Sequence, residues 1–159
     1  MSTIKLFIEF HYGVRRPKVT YRLNSQQLEP THSELLTQFT HQDRYIVTLE
    51  GDIKETNTFD VIMEDKTDKD MLFENGVWID HYVKVREMSV DGIYFETALY
   101  NCSGFRHSMS EEWVQKTNKE HNVEILPYYP NSNEVRLNGV WSINFTAPLW
   151  KWQIERKYK

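Results

Sequence analysis

The densest chemistry lies at residues 64–80, where Asp65, Asp68, Asp70, Glu74, Asn75 and Asp80 could all present side-chain oxygens. Calcium takes six to eight oxygen ligands, often from a flexible acidic loop. The spacing is not that of an EF-hand, because no position gives alternating acids, a glycine and a distal glutamate. Lys66 and Lys69 also dilute the negative charge. A solvated, turn-rich connection is the plainer reading of this segment and the favoured one.

Aromatic side chains form the second group. The chain holds five Trp, nine Tyr and eight Phe among 159 residues. A pyranose has an apolar C–H face and wet edges, which suits the amphipathic rings of Trp and Tyr. Trp78, Tyr82, Tyr94, Tyr100, Tyr128 and Tyr129 fall in loops or off the inward parity of strands, so they are the rings free to stack on a ligand. Tyr128-Tyr129 stands between Pro127 and Pro130, which stiffen the backbone and would preorganise both rings. The ligand-binding residues expected from this pattern are Trp78, Tyr82, Tyr128 and Tyr129.

Other chemistries find less support. Trp150, Lys151, Trp152, Arg156, Lys157, Tyr158 and Lys159 interleave rings with cations, and Arg15, Arg16 and Lys18 could add a second patch. Stacking plus phosphate neutralisation is how single-stranded nucleic acid is held. The formal net charge of -4 argues against that partner. Cys102 and His107 are a nucleophile and a base by type, but no third group orients them. The six histidines form no HExxH pattern. Asp and Glu number 23, too many to nominate a glycosidase pair. A non-catalytic role is therefore expected.

These residues need a scaffold, and period two dominates the chain. Ile4, Leu6, Ile8, Phe10 and Tyr12 share one face against Lys5, Glu9 and His11. Val19-Tyr21-Leu23, Tyr45-Val47-Leu49 and Phe59-Val61-Met63 alternate in the same way, and Val135 to Phe145 is the longest such run. After Pro148 the alternation resumes at Trp150, Trp152 and Ile154, which reads as a further strand. On this parity Trp141, Trp150 and Trp152 all face the core. Residues 82–90 and 93–99 flank Asp91-Gly92 and read as a hairpin, with a bulge near Arg86-Glu87 to repair a phase slip. Ser108 and Glu111 form a capping box that starts a helix over 109–121. A second short helix is expected over 31–40, from Leu35, Leu36 and Phe39.

The predicted architecture is all-β: a single antiparallel β-sandwich over residues 1–159, jelly-roll-like, with one or two short helices. The mean hydropathy of -0.64 is polar for such a core. The aromatic residues supply the missing apolar area. No run approaches the roughly 20 apolar residues of a membrane-spanning helix, so no membrane partner is expected. Met1-Ser2-Thr3 leads straight into Ile4 without the pattern of a signal peptide, which implies a cytoplasmic or virion-associated location.

The order of strand, acidic loop, Ile79-Asp80-His81-Tyr82-Val83-Lys84-Val85 and Ser89-Val90-Asp91-Gly92 resembles the small calcium-dependent carbohydrate-binding modules that recognise xylan. The loop lacks the Asn-Asp pair of those modules. The resemblance implies a glycan as partner, calcium as cofactor, and Asp65 and Asp80 as metal ligands. The chain is also similar to small β-sandwich proteins of tailed phages, through the Asp-Gly hairpin and Asn138-Gly139-Val140-Trp141. That likeness implies the alternative function: a virion or tail structural component that contacts other virion proteins or further copies of itself.

Overall fold

The computed structural model describes residues 1–157. In chain order come β1 (Ser2–His11), β2 (Thr20–Leu23), β3 (Gln26–Leu28), β4 (His32–Phe39), β5 (Gln42–Gly51) and β6 (Thr56–Met63). A 3-10 turn at Asp68–Asp70 leads to a small hairpin, β7 (Leu72–Glu74) and β8 (Val77–Ile79). Then follow β9 (Tyr82–Val90), β10 (Ile93–Tyr94), α1 (Ala98–Asn101), β11 (Ser103–His107) and α2 (Glu111–His121). The last elements are β12 (Tyr128–Pro130), β13 (Glu134–Val135), β14 (Gly139–Thr146) and α3 (Leu149–Lys157).

Two antiparallel sheets face each other. The first has the order β10-β9-β1-β5-β4, with β13 also on β9, and the second runs β12-β11-β14-β6-β2-β3. The alternation explains why they pack. Ile4, Leu6 and Ile8 of β1 meet Phe59, Val61 and Met63 of β6 and Trp141, Ile143 and Phe145 of β14 in one buried cluster. Period-two strands bury one face in this way and leave the other outward. The fold is thus the expected all-β antiparallel sandwich with short helices.

Turn chemistry fixes several registers. Asp91 and Gly92 both take positive φ, at 50° and 82°, which matches the twist of the β9–β10 hairpin. The extra residue of β9 is Arg86, because Phe7 opposes Glu87 while Ile8 opposes Val85. This is the bulge the phase slip called for. The hairpin's second arm is shorter than expected: β10 ends at Tyr94, and Ala98–Asn101 is helical.

Four further expectations need correction. Residues 31–40 form no helix; β4 is a strand paired along β5, with its irregularity between Leu35 and Thr37. Backbone pairing to β5 overrides the helical spacing of its apolar residues. Trp150, Trp152 and Ile154 do not extend the sheet but lie in α3, where the Trp152 N–H donates to the Pro148 carbonyl at 3.2 Å. Helical geometry separates their faces, so Trp152 is buried beside Phe95 and Phe145, while Trp150 is 58% exposed. The cap of α2 is Ser110 rather than Ser108, its hydroxyl accepting from the Trp113 N–H at 3.1 Å. Finally, the run Val135 to Phe145 changes sheet midway: Val135 pairs with Val83 of the first sheet, and Gly139 onward belongs to the second. Inward parity survives the crossing.

No helix among the described residues is long and apolar enough to cross a membrane. Tyr158 and Lys159 of the basic C-terminal run lie outside the described residues.

Candidate functional site

At one end of the first sheet three outward side chains stand abreast. His11 closes β1 and opposes Gln42 of β5 on one side and Tyr82 of β9 on the other. The His11 and Tyr82 rings stack at 4.3 Å with 2° between planes. The Arg136 guanidinium lies 3.8 Å from the Tyr82 centroid. Because β1 and β13 flank β9 on opposite sides, the two groups cover opposite faces of that ring. Tyr82 therefore offers a ligand its edge and hydroxyl, not a stacking face.

Behind them sits Glu9, only 2% exposed although it lies on the outward face of β1. It hydrogen-bonds His11 at 3.1 Å and forms ion pairs with Arg44 at 3.0 Å and Arg86 at 3.6 Å. A buried carboxylate is tolerated only with such partners. Its role here is to orient His11.

The β7–β8 hairpin forms the upper wall. Its turn, Asn75-Gly76, has φ of 51° and 77°, again the positive values a two-residue hairpin turn demands. Phe73 opposes Trp78 across the pair, with their rings 5.0 Å apart. Trp78 is 64% exposed. Two contacts fix the hairpin's place. His41 meets Glu74 at 3.4 Å, and Leu72 packs so closely on Gly13 that a Cβ there would stand 2.4 Å from the Leu72 Cβ. His41 is itself held to the end of β1, its Nδ1 lying 3.1 Å from the Tyr12 carbonyl.

Together these parts enclose an open groove of about 480 Å³. Trp78, Phe39 and Tyr82 supply rings, while His11, His41, Gln42 and Asp80 supply polar groups. Ligand sites typically combine apolar walls with a few placed polar groups in this size range.

Of the residues expected from the sequence, Trp78, Tyr82 and Asp80 meet in this groove. Tyr128 and Tyr129 lie elsewhere, on β12 at the edge of the second sheet. Alternation sends their rings to opposite faces. Tyr128 is outward with Arg106 5.2 Å from its centroid, and Tyr129 packs on the core with its hydroxyl accepting from the Leu126 N–H. They form no joint platform. Sequence pattern alone does not nominate His11, Phe39, His41 and Gln42 for this groove; the outward parity of His11 is the one signal it offers.

The acidic segment is held by the chain's own cations. Arg15 bonds the Asp65 carboxylate at 2.7 Å and Asp70 through Nε at 2.7 Å and Nη2 at 2.9 Å. Asp80 accepts from Lys66 at 2.7 Å and from Arg136 at 3.3 Å. Burial opposes ionisation of Asp70, but the Thr67 N–H and Arg15 outweigh it and keep the carboxyl below its ordinary value. The two expected metal ligands thus belong to separate ion-pair clusters. Calcium needs a convergent oxygen set, whereas Asp65 faces Arg15 and Asp80 faces Lys66 and Arg136, so each carboxylate is neutralised in a different cluster. No group of three His, Cys, Asp or Glu that could hold a metal occurs among the described residues. The residues present do not fit the calcium site that the resemblance implies.

Cys102 and His107 flank β11 at its two ends, roughly 16 Å apart at the rise of an extended strand, so they make no nucleophile–base pair. Burial also pushes the Cys102 thiol up, away from thiolate.

Comparison with protein-family models, curated proteins and solved structures finds no match to this chain.

Proposed function

We propose that the chain is a non-catalytic glycan-binding module whose ligand lies in the groove beside Trp78. The exposed Trp78 ring, braced by Phe73 and bordered by Gln42, His41 and Asp80, carries this reading. A sugar would stack its C–H face on the indole. Its hydroxyls would bond the carboxamide, imidazole and carboxylate groups around it. This reading needs no calcium, because Asp80, the carboxylate that lines the groove, already pairs with Lys66 and Arg136. Glycan-array binding followed by calorimetry tests this. Trp78→Ala is expected to weaken the best glycan by about tenfold or more, and a chelator to change nothing. An array without any glycan signal removes the proposal.

A second reading, a virion or tail component acting through protein–protein contacts, draws on β4. Every residue of this edge strand is exposed, including Leu35, Leu36 and Phe39. Such an edge can pair with another chain. Light scattering separates the two: a defined oligomer favours assembly, and a monomer favours the glycan module.

A further inference from the structure

A second cleft opens between the two sheets, away from the Trp78 groove. It measures about 540 Å³ and is crossed by the link from β1 to β2. Its floor is core: Phe10 and Val47 from the first sheet and Tyr21 from the second are buried residues that also line it. Its mouth is cationic. Arg16 and Lys18 come from the link, and no acidic residue lines the cleft.

The Arg16 guanidinium sits 5.4 Å from the Phe10 centroid and 5.0 Å from that of Tyr45. Arg16 also donates to the Tyr45 hydroxyl. These contacts hold the cation over the cleft by cation–π attraction while leaving most of its donors unspent. Neither Arg16 nor Lys18 meets a carboxylate within 4.0 Å among the described residues, whereas neighbouring Arg15 binds two. Burial pushes the Tyr21 phenol up, so it remains a neutral donor.

We infer that this cleft binds a monocarboxylate with an apolar body, such as a medium-chain fatty acid. The chain enters over Phe10, Tyr21 and Val47, and the carboxylate meets Arg16 and Lys18 at the mouth. Both halves of the ligand are needed. An apolar body gains by leaving water, and a carboxylate satisfies donors that otherwise face only solvent.

Laurate, dodecanol and acetate are the probes, titrated into the full chain below micelle-forming concentrations by calorimetry and amide chemical-shift mapping. Laurate is expected to bind with shifts centred on residues 16–21 and 45–47. Dodecanol should bind about tenfold or more weaker, as should laurate to Arg16→Gln/Lys18→Gln. Acetate should give no signal, and Trp78→Ala should leave laurate affinity unchanged. The inference is overturned if laurate does not bind, if dodecanol binds equally well, or if the double variant keeps full affinity. Shifts confined to the Trp78 groove overturn it too. The dodecanol comparison needs no variant, so it stands even if the double substitution disturbs folding.

Discussion

His81 concentrates the electrostatics of the site's foundation in one side chain. It is fully buried, and neither ring nitrogen has a hydrogen-bond partner. Burial pushes its pKa down from the ordinary 6.5, while Asp70 and Asp65 pull it up and Arg15 and Lys66 push it further down. The folded ring is thus neutral where the unfolded ring begins to take a proton. As pH falls through about 6.5 the unfolded state gains protons first, so stability is lost on the acid side until the lower folded pKa is reached. Asp70 acts lower in the scale: its stabilisation is present above the ordinary 3.8 and fades as pH falls below it. His81→Phe keeps the volume and removes the titration. Thermal unfolding from pH 7.5 down to 5 is expected to show a smaller loss of Tm in the variant than in the parent chain. An unchanged slope would mean that other histidines carry it.

At the scale of elements, the β7–β8 hairpin decides whether the groove exists. It is held to the sandwich by the His41–Glu74 pair and by Leu72, which leaves no room for a Cβ at Gly13. Gly13→Ala must push Leu72 away. Overpacking of this kind costs about 1–3 kcal/mol, and the hairpin, not the core, is the part able to yield. Faster amide exchange over residues 72–79 and weaker glycan binding are expected, with the exchange of β1 and β14 unchanged. Parent-like exchange and affinity would show that the hairpin is anchored elsewhere. The same element marks the limit of what the sequence discloses. Asp91-Gly92 is a legible hairpin turn, whereas Asn75-Gly76, with the same positive φ, lies in a segment whose acids read as a solvated, turn-rich loop and not as a hairpin. The strands with inward Ile, Val and Phe are equally legible from parity. The helix α3 is not, since Trp150, Trp152 and Ile154 fit two periods and only packing selects the helical one. β4 misleads for a related reason. With both faces exposed it carries no alternation, and its partner β5 alone makes it a strand.

On the scale of the whole molecule, the site emerges from how the sheets end rather than from any motif. His11, Gln42 and Tyr82 are 31 to 71 residues apart in sequence and adjacent only through the registers of β1 with β5 and β9. Trp78 and Asp80 could be nominated early because an exposed ring and an acid are visible in one segment. Their partners could not, as strand order is set by the whole core. The cations that occupy Asp65 and Asp80 come from the link after β1, from the acidic segment itself and from the crossing after β13, so the sequence left the calcium question open and the fold brings in the competing charges. The central claim is that the groove at this end of the sandwich receives a sugar. Amide chemical-shift mapping with the best glycan from an array tests it most directly. Perturbations clustered at residues 11, 39–42 and 78–82, and lost with Trp78→Ala, are the expected result. A glycan that shifts β12 around Tyr128 and Tyr129 instead, or no glycan that shifts any residue, would contradict it.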